Sequence, residues 1–310
     1  MKYGINGRTM KMIEIKDCVM RFDDINAVDL VSVDIPEGSC YGLLGSNGAG
    51  KSTLLRMLAG VYRPVSGRVM IDGEDVYDNV KIKERVFYIS DETSQFSDMT
   101  LGAMKRYYAT FYKSFDNELF GKLVDTVGLP LDKKLHEFSK GMRRQAVVIC
   151  GIACRPKYLL LDEALDGLDP TMRLIVKKMM IDAMLEREMT IVFSSHNLNE
   201  IDEFCDRVGL LHNGKLIFDR ELDNVKGDVI KVQASFDKEI TADDLPGLEV
   251  LHIDRTGSIT YIIAKGGSEK IRAEIEKLSP KVYDEIRLTL EEIFVYEMEG
   301  QGYDSSALDR

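Results

Sequence analysis

One short segment carries the clearest chemical signal in the sequence, a glycine-rich run that ends in a lysine and two hydroxyl residues. It fits the pattern G-x-x-x-x-G-K-[ST] at each required position, with the residues Gly45, Ser46, Asn47, Gly48, Ala49, Gly50, Lys51, Ser52 and Thr53. Glycines let the backbone wrap closely around phosphate groups, so that successive N–H groups meet the negative charge. We expect Lys51 to reach the β- and γ-phosphates, Ser52 to ligate Mg²⁺ and Thr53 to bind a phosphate nearer the sugar. The segment predicts a nucleoside-triphosphate site; the alternative is a glycine-rich turn without a ligand.

Two adjacent acids follow an apolar run later in the chain, where residues 158–161 read Tyr-Leu-Leu-Leu. We expect Asp162 to hold Mg²⁺ through its water shell and Glu163 to polarise the attacking water as a general base. The alternative is a strand end that simply reaches solvent. A complete phosphate-binding loop in the same chain favours the first interpretation, which predicts hydrolysis of the triphosphate.

The elements that must position these residues are short buried strands. Strands are predicted at residues 39–44, 86–89, 158–161 and 191–193, and helical periodicity separates them. Strands that alternate with helices form a mostly parallel sheet with helices on both faces, and ligands bind at the carboxyl ends of its strands. The polar residues that follow these four strands are therefore expected to meet at one edge of the sheet.

The amino-terminal and middle regions show other patterns. Residues 1–11 have no clear period and are expected to form a frayed extension, whereas residues 13–35 and 68–71 predict an antiparallel sheet. Residues 101–115 have helical spacing and concentrate aromatic side chains. We expect most of these to pack in a helical core; alternatively, part of them forms an apolar groove for a partner helix.

The sequence becomes mostly polar around residues 219–228, and we place a domain boundary there. The predicted units are residues 1–222, with a helical part at about 92–156, and residues 223–310. The second unit alternates in strand fashion, then shows helical spacing and a capping box at Thr289, which predicts a small α+β domain. Its tail from Gly300 is expected to be disordered.

Composition limits the class of protein. The chain has 310 residues, 45% hydrophobic and 30% charged, which is ordinary for a soluble globular protein of more than one unit. It has no apolar run of the roughly 18 residues that a membrane span needs, and no secretory signal is visible. Its five cysteines form no disulfide framework, so we expect reduced, buried thiols in a cytosol. The net charge of −11 argues against nucleic acid as a partner, because phosphate backbones repel a protein of this sign.

A further segment, residues 138–142, reads Phe-Ser-Lys-Gly-Met and lies between the phosphate-binding loop and the acid pair. It resembles the signature motif of ATP-binding cassette (ABC) proteins. Residues 166–170 resemble the D-loop of that family, His196 matches its switch histidine, and Phe22 occupies the place of its adenine-stacking aromatic ring. Residues 13 to about 218 thus resemble one complete nucleotide-binding domain.

The resemblance implies a fold, ligands and partners. The fold is α/β, a P-loop NTPase (RecA-like) core with an amino-terminal antiparallel β subdomain and a helical insertion, followed here by the small α+β domain. The implied ligands are ATP and Mg²⁺. A second ATPase subunit, in a head-to-tail homodimer or heterodimer, would place its Ser139 and Gly141 on the ATP of the first. Asp169 of the D-loop would also line the nucleotide, and His196 would donate to the γ-phosphate.

Two positions depart from the usual family pattern and indicate which subgroup of the family the sequence resembles. Asp91 stands where the family usually has a glutamine that coordinates Mg²⁺ and links the site to the membrane partner. Lys140 replaces the first glycine of the signature. With the Gly-Met-Arg that follows, these changes are similar to bacterial type-2 exporters, whose transmembrane permeases are separate chains. We therefore expect an ATPase on the cytoplasmic face of the membrane, with Asp91 on the metal; the alternative is that Asp91 points into solvent.

Other functions remain open from the sequence alone. A cassette ATPase can act on soluble machinery instead of a permease, although the long coiled-coil insertions of the chromosome type are absent. A P-loop kinase or GTPase is disfavoured by the signature and switch motifs and by the lack of an Asn-Lys-x-Asp guanine reader. Phe22 has the simpler alternative of a core residue.

Overall fold

The computed structural model describes residues 12–92, 96–223, 229–286 and 288–300. The chain forms two compact units, Met1–Asp219 and Arg220–Arg310. The expected frayed extension at residues 1–11 lies outside the described residues. The expected tail begins at Gly300, which is the last residue of a described helix, and the rest of that tail, residues 301–310, lies outside the described residues.

An antiparallel sheet begins the first unit, as the alternating pattern predicts. Its strand order is β2-β1-β4-β5. The alternating residues Ile13, Ile15, Val31, Val33 and Ile35 are all buried in one hydrophobic core. The strands are β1 (Met12–Phe22), β2 (Ile25–Pro36), β4 (Ser66–Ile71) and β5 (Glu74–Asp75).

A six-stranded sheet of order β10-β9-β3-β8-β7-β6 lies at the centre of the same unit. The neighbours β9, β3, β8, β7 and β6 pair in parallel, and every residue of β3, β7 and β8 is buried. The phosphate-binding loop follows β3, and the acid pair lies at the end of β7, so the predicted edge of strand ends exists. The strands are β3 (Cys40–Leu44), β6 (Val86–Ile89), β7 (Tyr158–Asp162), β8 (Thr190–Ser195), β9 (Arg207–His212) and β10 (Lys215–Glu221).

The hairpin between β9 and β10 turns at Asn213 and Gly214, an Asn-Gly pair that is typical of tight hairpin turns. Both residues have positive φ, at 47° and 77°, as a two-residue turn that matches the strand twist requires.

Seven helices of the first unit are described, and most begin at a side-chain cap. Thr100, Asp116, Ser139 and Asp169 each accept the backbone N–H of the residue three positions on. Pro170 follows Asp169 at the first helical position, where its missing N–H has no partner to lose. The helices are α1 (Lys51–Leu58), α2 (Val80–Lys83), α3 (Leu101–Phe111), α4 (Asn117–Val127), α5 (Lys140–Ala153), α6 (Pro170–Arg187) and α7 (Leu198–Phe204).

The aromatic side chains of the α3 region divide between core and surface. Tyr108 and Tyr112 pack on Phe87 of β6 with ring centroids 5.0 and 5.4 Å away, which confirms the core interpretation for them. Tyr107 and Phe111 are exposed. These two leave an apolar surface on α3.

The second unit is a small α+β structure, as predicted. Its antiparallel sheet has the order β12-β13-β11-β14. The capping box is confirmed: Thr289 N–H donates to Glu292 at 2.9 Å, and Glu292 N–H donates to the Thr289 hydroxyl at 3.2 Å. The elements are β11 (Val229–Ser235), β12 (Glu249–Thr256), β13 (Ile259–Lys265), α8 (Ser268–Glu276), β14 (Val282–Ile286) and α9 (Leu290–Gly300).

None of the helices in the described part of the chain combines the length and the apolar composition that crossing a membrane requires.

Candidate active site

The phosphate-binding loop joins β3 to α1 and needs glycine for a steric reason. Gly50 has φ +107°, and a Cβ at this position would lie 2.2 Å from the carbonyl oxygen of Ala27. Gly45 is similarly confined, since a Cβ there would lie 2.3 Å from the carbonyl oxygen of Leu211. The loop is therefore packed against β2 and β9, and its shape is fixed by the fold.

Lys51 begins α1 and is almost completely buried. Its ammonium donates hydrogen bonds to the carbonyl oxygens of Gly45 at 2.6 Å and Ser46 at 3.1 Å. It also lies 3.5 Å from Oε1 of Glu163. Burial lowers the pKa of Lys51, and the nearby Glu163 carboxylate opposes that change. The cation thus lies inside the loop and joins it to the acid pair.

Asp162 is fully buried at the end of β7 and is surrounded by hydroxyl groups. Its Oδ1 accepts hydrogen bonds from Ser52 at 3.0 Å and from Ser194 at 2.8 Å. Its Oδ2 accepts one from Tyr88 at 3.0 Å. Burial, followed by the charge of Asp162, raises the pKa of Tyr88 above its ordinary value, so the phenol remains a donor.

Glu163 follows Asp162 with an unusual backbone. Its φ is +48°, a region that costs energy for a residue with a side chain and is common at functional sites. Its N–H donates to the Ser194 hydroxyl at 3.1 Å, and its Oε1 lies 3.6 Å from Nδ1 of His196. His196 is 47% exposed. Together with Asp166, these two side chains offer ligand atoms within 4.8 Å of one another, so this side of the cleft can hold positive charge.

The signature and D-loop residues form a second cluster. The Ser139 hydroxyl caps α5 by accepting the N–H of Met142 at 3.1 Å. A Cβ on Gly141 would lie 3.0 Å from the carbonyl oxygen of Gly167, so the signature packs against the D-loop of its own chain. The Asp169 carboxylate is used as the cap of α6 and accepts the N–H of Met172 at 3.0 Å. The D-loop also meets the acid pair, since the N–H of Asp166 donates to the carbonyl oxygen of Glu163 at 3.2 Å. The Ser139 hydroxyl, by contrast, is used within its own helix.

Asp91 lies beyond β6 with its side chain 55% exposed, and its Oδ1 is 3.8 Å from a guanidinium nitrogen of Arg56. Its backbone is held from α5. Arg144, which is only 2% exposed, donates to the carbonyl oxygens of Ser90 at 2.6 Å and Asp91 at 2.8 Å. This helix therefore connects the signature to the loop that carries Asp91.

Phe22 ends β1 with 42% of its surface exposed, so the alternative of a core residue is wrong. Its ring meets Tyr62 edge to face, with centroids 5.5 Å apart. Phe22 is thus held by Tyr62 and remains partly accessible at the surface.

Comparison with known proteins agrees with this geometry. A sequence profile of the family described as "ABC transporter" matches residues 28–166. The ABC transporter ATP-binding protein YtrB of Bacillus subtilis is 29% identical over 290 residues, which cover 94% of this chain and 99% of the relative. The bacitracin transport ATP-binding protein BcrA of Bacillus licheniformis is 31% identical over 218 residues, which cover 69% of this chain and 71% of the relative.

A solved ATP-binding subunit of an ABC transporter has a similar structure. It superposes with a TM-score of 0.64 at 25% identity, over 69% of this chain and 92% of the other. Fold and site define a P-loop nucleoside triphosphatase. More narrowly, the chain belongs to the ABC transporter family, as one of its ATP-binding subunits. It is an ATPase that drives a membrane permease.

Two residues of the site, Tyr88 and Arg144, are not marked by the sequence patterns, and Ser194 is marked only as a polar residue that follows the strand predicted at residues 191–193. Tyr88 and Ser194 lie on β6 and β8, the two strands that flank β7. In the sheet register, Ser194 is the direct partner of Asp162. The sequence alone does not give the order of the strands, which is what brings Tyr88 and Ser194 next to Asp162. Within its own segment each of these hydroxyl residues is ordinary.

Proposed function

We propose that two such ATPase subunits associate head to tail on ATP and drive a separate transmembrane permease in the direction of export. The observation that carries this proposal is that each chain holds two half-sites. Lys51, Asp162, Glu163 and His196 form one connected cluster, whereas Ser139 lies in another. A second subunit, which brings its own Ser139 and Gly141 to the first cluster, would complete each site.

The residues present fit a magnesium ion. Mg²⁺ prefers hard oxygen ligands and retains several waters, and it usually binds through one or two carboxylates together with substrate phosphates. Asp162 and the Ser52 hydroxyl, 3.0 Å apart, supply this set. The Asp162 carboxylate is buried and its hydrogen-bond donors are uncharged hydroxyl groups. A bound cation would therefore stabilise its negative charge. When bound, the ion would neutralise charge on the β- and γ-phosphates.

The other residues of the cluster have separate roles in hydrolysis. The loop N–H groups and Lys51 bind and orient the phosphates. Glu163 accepts the proton of the water that attacks the γ-phosphate, and His196, 3.6 Å from Glu163, donates a hydrogen bond to that phosphate. Asp169 and the D-loop line the shared interface, and Phe22 stacks on the adenine.

Other features support the direction of transport and the place of the subunit at the membrane. The Lys140 and Asp91 departures resemble type-2 exporters, and one relative is named for bacitracin transport. A permease helix would contact α3, where Tyr107 and Phe111 are exposed, and hold the subunit at the cytoplasmic face of the membrane. Residues 1–222 would carry the ATPase, and residues 223–310 an accessory role.

A mixing experiment tests whether the sites are shared. Ser139→Arg and Lys51→Ala chains are each expected to be inactive alone, because every site of each dimer lacks one part. A mixed dimer contains one site with intact Lys51 from one subunit and intact Ser139 from the other. We therefore expect up to about half of the wild-type turnover per mixed dimer.

Differently tagged chains purified together provide proven mixed dimers for this measurement. A mixture of Lys51→Ala with Lys51→Ala carrying the second tag is the matched control, since none of its sites can be repaired. Proven mixed dimers without recovered ATPase activity would contradict sharing between subunits.

A further inference from the structure

Asp162 is held by two hydroxyl groups that no motif of the sequence marks. The two oxygens of its carboxylate have different partners. Oδ1 accepts from Ser52 and Ser194, whereas Oδ2 accepts from Tyr88. Ser52 is the residue expected to turn towards Mg²⁺. Ser194 and Tyr88 are therefore the two donors that can hold Asp162 both before and after the metal binds.

Ser194 has a second contact, to Glu163, that distinguishes it from Tyr88, whose other polar neighbour is Arg56. The Ser194 hydroxyl oxygen also accepts the backbone N–H of Glu163 at 3.1 Å. Glu163 has φ +48°, and such a conformation persists only where surrounding contacts impose it. The Ser194 hydroxyl is one of these contacts, and it is fully buried. Loss of this hydroxyl frees the backbone that aims the Glu163 carboxylate.

The positions of the two hydroxyls in the sheet explain this difference. Ser194 of β8 is directly opposite Asp162 of β7, so its side chain reaches the junction between the two acids. Tyr88 of β6 is opposite Leu160, two residues before Asp162, and its longer side chain reaches the other oxygen of the Asp162 carboxylate. Strand β8 thus supplies a contact to both Asp162 and Glu163, whereas β6 supplies a contact to Asp162.

We infer that Ser194 and Tyr88 are positioning residues with divided roles: Ser194 orients the metal-binding Asp162 and the general base Glu163 together, whereas Tyr88 orients Asp162 alone. The inference rests on the proposed roles of these two acids. Partners behind a metal ligand fix its orientation, and their removal commonly weakens metal binding by about 10–100-fold. Misplacement of a catalytic group by about 1 Å can lower turnover by about 10²-fold.

The experiment compares Tyr88→Phe with Ser194→Ala across a range of Mg²⁺ concentrations. Calorimetric titration with a non-hydrolysable ATP analogue measures metal-dependent nucleotide binding, and phosphate release measures turnover. We expect both variants to need about 10-fold more Mg²⁺ for half-maximal nucleotide binding. At saturating Mg²⁺, Tyr88→Phe should recover wild-type turnover within about twofold. Ser194→Ala should stay about 10–100-fold slower, because Glu163 remains misdirected.

Ser194→Thr is the conservative control, since it retains a hydroxyl at the same place and should restore both properties. Thermal unfolding without nucleotide checks that each variant folds. If Ser194→Ala does not fold, Ser194→Cys replaces it, because cysteine has similar volume and weakens both hydrogen bonds. Turnover that stays low in Tyr88→Phe at saturating Mg²⁺, or that recovers fully in Ser194→Ala, would overturn the division of roles.

Two reference variants separate this failure from a failure of the proposed function. Glu163→Gln should be nearly inactive at every Mg²⁺ concentration, and Asp162→Asn should bind the nucleotide with little dependence on Mg²⁺. If these variants behave like the wild type, the assigned roles of the acids are wrong. If they behave as expected while the Tyr88 and Ser194 variants cannot be told apart, only the present inference is wrong.

Discussion

Arg144 connects two parts of the site that the chain keeps far apart in sequence, and its replacement has a calculable cost. Its guanidinium makes two charge-assisted hydrogen bonds, to the carbonyl oxygens of Ser90 and Asp91. Hydrogen bonds that involve a charged group contribute about 1.5–3 kcal/mol each. The Nε atom is buried without a hydrogen bond, so its removal should by itself raise the free energy of unfolding by about 1 kcal/mol. Arg144→Met should therefore destabilise the first unit by about 2–5 kcal/mol.

The measurement is urea denaturation followed by circular dichroism, with differential scanning calorimetry as a second probe. A loss of this size in a unit of about 200 residues lowers the Tm by roughly 5–15 °C. Arg144→Lys, whose ammonium cannot reach two carbonyl groups with a planar fork, should lie between the wild type and Arg144→Met.

Arg143→Met is the matched control for this prediction. Arg143 is the preceding residue of α5, and its Nε is likewise buried without a hydrogen bond. Its replacement should therefore not destabilise the unit, and by the same reasoning on Nε can stabilise it by up to about 1 kcal/mol. Equal denaturation midpoints for the Arg143 and Arg144 variants would refute the claim that Arg144 ties the loop to α5.

Three further predictions concern single carboxylate residues, Glu163, Asp91 and Asp72. Glu163→Gln should lower phosphate release by roughly 10²–10⁴-fold while ATP binding, measured by calorimetry, is retained, because only the base is lost. If Asp91 lies near the γ-phosphate, as the resemblance implies, Asp91→Asn removes a negative charge there. ATP should then bind more tightly in the absence of metal, and permease-stimulated hydrolysis should fall. Unchanged titrations and unchanged stimulation would make Asp91 a surface residue. Burial raises the pKa of Asp72, but hydrogen bonds from Tyr158 and Lys157 outweigh it and the net pKa is lowered. The stability that this depressed pKa supplies is present above the unfolded value near pH 4 and is lost as the pH falls through the folded value. The advantage of the wild type over Asp72→Asn in urea denaturation should hence shrink below about pH 4, and a constant difference down to pH 2 would contradict it.

Local patterns predicted most of the fold, because the elements that carry them are stabilised locally. The P-loop, the cap at Asp169, the hairpin at Asn213 and the capping box at Thr289 depend on residues within one turn or one hairpin. The edge strand β12 was missed, since five of its eight residues are exposed and its hydrophobic alternation is weak.

The candidate site was predicted less completely, for a different reason. The residues that we propose contact phosphate, metal or water follow from motifs, but the residues that hold them in place come from other strands and helices. Ser194 meets Asp162 across 32 positions of sequence, and Arg144 meets Ser90 across 54. Such contacts are set by strand order and helix packing, which the spacing of one segment does not contain.

The buried ammonium of Lys51 has a consequence for how the nucleotide binds. A lysine side chain that becomes fixed loses about 1.5–2 kcal/mol in conformational entropy. In this chain the carbonyl oxygens of Gly45 and Ser46 already fix it, so that loss accompanies folding of the polypeptide. Binding of the triphosphate therefore does not have to order this side chain a second time, and we expect the nucleotide to lose less affinity to the ordering of Lys51 than it would in a loop that leaves the lysine mobile.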